Sequence, residues 1–540
     1  MSRTPLMRVL RRAFSVARAS QTGAVPLDET IARAFEARAD ASRRRFLRQG
    51  ATAAAALTLA SCRHIPLYTP PTEEDVVVVG GGIAGLTAAW RLRQAGVGAT
   101  VYEAQNRIGG RILSLAGHFA DGQVCELGGE LIDTGHARMR ALADEFGLPL
   151  DDLAGTETPG HDDTWYFGGA HRSEHEIIAA FAPIAQALAR DQAILGDVDI
   201  TYRTPGDAAA FDRLSIAQWF DANGVSGWMR TLLDVAYTTE MGLECDEQSA
   251  LNLLTFIDAG TDAFRIFGES DERYHVRGGN DRIPTAIAKH LSGAIETGAA
   301  LEAIAQDSSG GYRLTFRRGS SSVDVRAKQV VLAIPLTTLR QVQLSVELPP
   351  VEQRALAQLR YGTNAKLMIG VNERVWRTRA RGNGSLMCDL APQTTWETSR
   401  QQAGSAGILT NFTGGRHGLA IGEGTPKQQA DRAVAELDRV FPGLASARAG
   451  AREARFHWPT HPWARGSYLC FAPGQWTTLR GAFGEPAGNL FFAGEHCSLD
   501  NQGFMEGGVE SGEAAAQQVL AARGVAKTAG LAHVAQRVVG

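Results

Sequence analysis

One short segment runs Asp75-Val76-Val77-Val78-Val79-Gly80-Gly81-Gly82-Ile83-Ala84-Gly85. Asp75 to Val79 is a β-branched apolar run, the composition of a strand buried on both faces in a parallel sheet. Glycines at 80, 82 and 85 follow at once as G-x-G-x-x-G, and Leu86 to Ala95 has helical composition up to Gly96. A second strand, Ala99 to Tyr102, then delivers Glu103, 23 positions after Gly80. Each part has a physical task. Gly80 permits the tight turn, Gly82 lets a pyrophosphate approach the backbone, and Gly85 lets the helix pack on the strand. The helix start at Ile83 and Ala84 offers free N–H groups and the positive end of a dipole. Glu103 can accept hydrogen bonds from both ribose hydroxyls and would repel a 2′-phosphate. Strand, glycines, helix, strand and acid in this order predict a Rossmann-like dinucleotide-binding unit.

Working outward, composition bounds the rest. The chain has 540 residues, 60 of them glycine, with 44% hydrophobic and 21% charged residues. That is a globular composition, and the length calls for two or more lobes. The net charge of −4 is uneven: residues 1–50 carry eleven Arg and four acids, leaving −11 on the remainder. So acidic a body is not expected to bind nucleic acid. Ser42-Arg43-Arg44-Arg45-Phe46-Leu47-Arg48, followed by the small-residue apolar run Ala51 to Ala60, resembles a twin-arginine export signal. The run is too short for a membrane span. Leu59-Ala60-Ser61-Cys62 resembles a lipobox, which would make Cys62 a lipid anchor. The expectation is an exported protein, periplasmic or membrane-anchored as a lipoprotein, with the export machinery as a partner. Residues 1–62 are then extension and signal, 63–72 a Pro-containing linker, and 524–540 a weakly patterned tail. Six cysteines without a C-x-x-C pair predict neither a zinc ribbon nor a redox dithiol. No metal-ligand cluster, nucleophile elbow or P-loop is found.

Four residues past Glu103 comes Arg107-Ile108-Gly109-Gly110-Arg111, whose two arginines and two glycines can form a second clamp on a pyrophosphate and flavin edge. This element resembles the second fingerprint of the flavin amine oxidase superfamily, which includes monoamine, polyamine and L-amino acid oxidases and phytoene desaturases. Glu126-Leu127-Gly128-Gly129-Glu130 resembles the segment beside the flavin ring in that family. Tyr274 to Gly279, Val330 to Pro335, Asn489 to His496 and Gly503 to Gly512 resemble its later strands and closing helix. The likeness runs over about residues 72–522. It implies an α/β (α+β, two-lobed) fold: a Rossmann-like FAD-binding domain (73–145, 272–345, 480–523) interleaved with a mixed-sheet, helical substrate domain (146–271, 346–479). It also implies Gly80, Gly82, Ile83, Ala84, Gly85, Glu103, Arg107, Gly109, Gly110, Arg111, Gly128, Gly129, Glu130, Leu301, Gly494, Glu495, Phe504 and Met505 as FAD contacts.

Within the superfamily, Lys366 is informative. It stands in the strand-like Gly362 to Val371, in a chain with five Lys against 49 Arg. The segment resembles the amine oxidase strand whose Lys holds a water near flavin N5. His461 to Tyr468 resembles the monoamine oxidase segment that carries a flavin-linked Cys. Ser467 occupies that position here, so non-covalent FAD is expected. Tyr468 and Phe504 match the two walls of the aromatic cage, the second without its hydroxyl. Lys366, Tyr468 and Phe504 are therefore the expected catalytic residues. The reaction that the resemblance implies is hydride transfer from an amine or L-amino acid to FAD, imine hydrolysis, and reoxidation by O2 to H2O2. Leu131 stands where venom-type L-amino acid oxidases carry the carboxylate-binding Arg, which disfavours amino acids unless Arg138, Arg140 or another Arg serves. Alternatives are a dehydrogenase with a protein electron acceptor, a tryptophan-monooxygenase-like decarboxylase, an isoprenoid desaturase or isomerase, and a non-catalytic flavin-binding protein. A homodimer is among the arrangements considered.

Overall fold

The computed structural model describes residues 74–156, 162–196, 198–256, 271–308 and 310–525. The export signal, Cys62 and the linker lie outside the described residues, as does the tail beyond 525. The chain is two-lobed α/β, and the first lobe grows from the valine run. Val76–Val79 (β1) is completely buried. It pairs in parallel with Thr100–Tyr102 (β2) on one side and Gln329–Leu332 (β4) on the other. Ile295–Glu296 (β3) extends the sheet beyond β2, and Leu490–Phe492 (β5) extends it beyond β4. The order β5-β4-β1-β2-β3 reverses direction at β1. A crevice opens at the carboxyl ends of the strands at such a switch point.

The valines divide by alternation. Val76 and Val78 join the core beneath the helices, while Val77 and Val79 join a core with Phe316 and Leu314 of a four-stranded sheet laid over the other face. On the helical side, Ile83–Gln94 (α1) crosses Met505–Ala522 (α3) at backbone contact. A Cβ on Gly512 would lie 2.3 Å from the Ala84 carbonyl oxygen, and one on Gly85 would lie 2.0 Å from that of Gly80.

The second lobe is a seven-stranded mixed sheet. Its strands run in the order Glu453–His457, Ala365–Val371, Gly407–Thr413, Thr394–Glu397, Gly382–Cys388, Asp162–Phe167 and Ala170–His171. Six helical turns from Glu174 to Leu195, started by the Ser173–Glu176 capping box, pack with Ile216–Ala222 and Gly227–Met241 (α2) around Phe181, Trp219 and Tyr237. The strand Ala365–Val371 is buried at every position. Lys366 is thus placed inside the protein by the most apolar strand of its sheet.

The α1–α3 crossing yields a direct test. Gly512→Ala pushes a methyl group into the Ala84 carbonyl and is expected to cost about 1–3 kcal/mol, as overpacking does. Denaturant unfolding should show a lower midpoint, and a midpoint equal to wild type would refute the crossing.

Candidate active site

Three segments far apart in sequence meet at the mouth of β1. Gly80 turns with φ +108°, and a Cβ there would lie 2.5 Å from the Ala333 carbonyl oxygen. The Gly109 N–H donates to the Gly81 carbonyl (2.8 Å), which lays the second glycine pair against the first. A Cβ on Gly82 would meet only the Gly110 Cα, at 3.8 Å, so the floor here is bare backbone. The α1 N-terminus has Gly82 as its cap and no side-chain cap. Its first N–H groups are therefore left for a ligand. Glu103, buried at the end of β2, accepts from the Gly81 N–H (2.7 Å) and the Gln105 N–H (2.8 Å). Burial pushes its carboxyl above the ordinary range. A bare glycine floor, an uncapped helix start and a buried acid fit the pyrophosphate and ribose of a dinucleotide.

One continuous cavity runs from this floor into the second lobe. Of the residues expected to touch cofactor or substrate, all but Gly85 and Arg107 lie on its wall. Gly85 is pressed against the Gly80 carbonyl instead, as its packing role requires. Arg107 faces its own loop in this structure. Its guanidinium turns back on its own loop, donating to the carbonyls of Ile108 (3.2 Å) and Gly110 (2.9 Å). It holds the glycine turn, and Gln105 takes a place on the wall. Arg111 donates to the Ser467 carbonyl (2.8 Å) and pairs with Glu495 (3.0 Å), which also accepts from the N–H groups of Gly503 and Leu469. This one ion pair ties the second glycine loop, the segment after β5 and the Ser467 turn together.

Deeper in, Gly128 and Gly129 pass between Trp458 and Met505: a Cβ on Gly129 would lie 2.8 Å from the Met505 side chain. Lys366 enters from the other lobe. Its ammonium donates to Glu130 (2.6 Å), the Gly128 carbonyl (2.8 Å) and the Glu126 carbonyl (3.2 Å). Glu130 also accepts from Trp396 Nε1 (2.8 Å) and Thr398 Oγ1 (2.7 Å). Burial alone would raise the Glu130 carboxyl, but Lys366 and these donors hold it below the ordinary range. Tyr468 donates its hydroxyl to the Glu240 carbonyl (2.7 Å) at the end of α2. Phe504 caps α3 and meets His136 edge-on at 5.0 Å, where burial pushes that imidazole down to about 4. Ser467 Oγ donates to Asn364 Oδ1 (2.7 Å).

Trp396 and Phe412, on neighbouring strands, complete an aromatic wall that sequence reading did not single out, and Trp458 joins the cavity with its indole N–H on the Leu127 carbonyl (2.9 Å). The Trp396 indole reaches Glu130, 266 positions away, and the Trp458 indole reaches Leu127, 331 positions away, so no local pattern marks them. Leu131 also lines the wall. Arg138 instead pairs with Glu506 and Glu513, and Arg140 donates to the Thr134 carbonyl.

Comparison with known proteins places these features in context. Residues 83–520 match the family described as flavin containing amine oxidoreductase. The chain is similar to an L-amino acid dehydrogenase of Synechocystis sp., 26% identical over 84% of this chain and 96% of that protein. It is also similar to a flavin-containing amine oxidase of Danio rerio, 25% identical over 83% and 86%. Among solved structures, it shares its fold with putrescine oxidase bound to putrescine (TM-score 0.72, 20% identity, 84% of this chain and 100% of that chain). Cyclohexylamine oxidase from Brevibacterium oxydans IH-35A is similar in the same way (TM-score 0.71, 23% identity, 84% and 99%).

The site predicts how the cofactor is held. Wild-type protein should keep its flavin through dialysis and release it intact on acid precipitation, whereas Glu103→Ala should lose it at dialysis. Absorbance of the protein and supernatant checks both, and full occupancy of the Ala variant would remove Glu103 from the ribose site.

Proposed function

The chain belongs to the flavin-containing amine oxidoreductases, and from that premise we propose that it binds FAD non-covalently and oxidises the C–N bond of a primary or secondary amine. FAD, when bound, supplies the hydride acceptor and a two-electron store. The chain's own residues bind and orient. Gly80, Gly82 and the start of α1 cradle the pyrophosphate, and Glu103 takes the ribose. Tyr468 and Phe504, with Trp396 and Phe412, enclose the body of a neutral amine and turn its α-C–H towards the Gly128–Gly129 side. The Tyr468 hydroxyl is held by the Glu240 carbonyl, which keeps the ring face on the cavity. The substrate loses a hydride and a proton to become an imine, and water converts this to a carbonyl compound and ammonia or a smaller amine.

The observation that carries this reading is the single cavity joining the glycine floor to the aromatic wall. An amine is favoured over an α-amino acid. Among the described residues, the guanidinium on the wall is that of Arg111, and it is engaged with Ser467 and Glu495. Position 131 is apolar, and Arg138 and Arg140 bond elsewhere. For the electron acceptor, the family resemblance supports dioxygen with hydrogen peroxide as product. The Lys366–Glu130 pair supports a second reading, a dehydrogenase that passes electrons to another protein. Export by the twin-arginine machinery belongs to the same proposal, supported by Arg43-Arg44 ahead of an apolar run. Replacing both with Lys should leave the protein in the cytoplasmic fraction, and unchanged periplasmic recovery would exclude this route.

An anaerobic panel of monoamines, polyamines and L-amino acids tests the reaction by loss of oxidised-flavin absorbance. Monoamines or polyamines should bleach the flavin. Bleaching by amino acids alone would overturn the substrate assignment, and bleaching by nothing would favour a non-catalytic flavin-binding protein.

A further inference from the structure

The resemblance gives Lys366 a water near flavin N5 to hold, yet the structure commits its ammonium to protein oxygens. A lysine ammonium has three N–H donors and no acceptor. Three protein oxygens take them: Glu130 Oε2 at 2.6 Å, the Gly128 carbonyl at 2.8 Å and the Glu126 carbonyl at 3.2 Å. The cation also sits 5.3 Å from the centre of the Trp396 ring. Glu130 is itself fixed. Its second oxygen accepts from Trp396 Nε1 and Thr398 Oγ1, and the Thr398 hydroxyl is shared with Thr410 at 2.6 Å. Lysine and carboxylate are both buried, with side-chain exposures of 6% and 7%. Two opposite charges in contact present only a dipole to their surroundings, and the field of a lone cation is lost.

We propose that Glu130 restrains the reaction of the reduced cofactor with dioxygen by neutralising Lys366 and occupying its third proton. The inference rests on the reading that FAD fills this cavity. In the overall step, FADH2 and O2 give FAD and H2O2: two electrons and two protons pass from the cofactor to oxygen. The first electron makes superoxide, an anion, so an uncompensated cation on the Gly128 side accelerates the step and a paired one does not. Glu130 is a positioning residue in this scheme. It sets the charge that oxygen meets and touches no reacting atom.

The test reduces the flavin photochemically, so no amine is needed, and mixes it with aerated buffer in a stopped-flow instrument. Glu130→Gln should react with dioxygen at least about tenfold faster than wild type, an effect of roughly 1.4 kcal/mol on the barrier. Adding Lys366→Met to that variant should abolish the gain. An unchanged or slower Glu130→Gln rate, or a gain that survives in the double variant, overturns the proposal. Should Glu130→Gln not retain flavin, Thr398→Val removes one holder of the carboxylate and should give a smaller, Lys366-dependent rise; no rise overturns the proposal equally. A readout free of flavin uses apoprotein labelled with ¹⁵N-lysine, which has five lysines to resolve. Wild type should show one buried ammonium signal whose chemical shift moves in Glu130→Gln, and a signal that stays unmoved would refute the ion pairing. Failure of the amine panel alongside these results would sink the substrate reading alone.

Discussion

The mouth of β1 has to be bare backbone, and the neighbouring helices and loops are packed to keep it so. A dinucleotide pyrophosphate needs N–H groups within hydrogen-bond reach, and any side chain in the way forbids it. Gly80 meets this by turning with positive φ against the Ala333 carbonyl, and Gly82 by facing only the Gly110 Cα. The same need reaches away from the ligand. α1 can start at Gly82 only because Gly85 nests on the Gly80 carbonyl, and α3 can reach the cavity only because Gly508 and Gly512 let it press on Ile83 and Ala84. Part of the glycine excess is therefore spent where two helices and two loops meet a single strand.

Once backbone occupies that crevice, the charges buried around it must be managed. Unpaired buried ions are costly, and each one near the cavity has a partner or several donors. Arg111 and Glu495 bridge loops from opposite ends of the first lobe, while Glu103 is held by two backbone N–H groups. Lys366 and Glu130 bridge the two lobes. That last pair couples the wall of the substrate region to the flavin side, because the carboxylate that meets Lys366 also anchors Trp396. The aromatic wall and the buried cation are thus parts of one hydrogen-bonded unit.

Much of this was legible in the chain. β1, the glycines, α1, β2 and Glu103 stand in one short run, and local sequence decides a strand–turn–helix whose glycines have backbone tasks. The later motifs were legible through resemblance, and Lys366 stood out because a lone Lys in an apolar strand of an Arg-rich chain needs a reason. Three things were not. Arg107 and Arg111 look alike in R-x-G-G-R, yet one folds back on its own loop and the other crosses to Glu495, a choice made by the position of α3 and β5. Trp396 and Phe412 read as ordinary strand residues until their sheet brings them to the cavity. Glu130 read as a cofactor contact, and only the arrival of the strand Ala365–Val371 from 236 positions away turns it towards an ammonium.

By itself the sequence determined the class of cofactor and the sheet that carries it, because those depend on backbone conformation, which neighbouring residues dictate. Which side chains face the substrate, and whether Lys366 offers a free cation or a neutralised one, was decided by tertiary structure alone, because a charge in a buried site takes its character from partners that only folding brings within 3 Å.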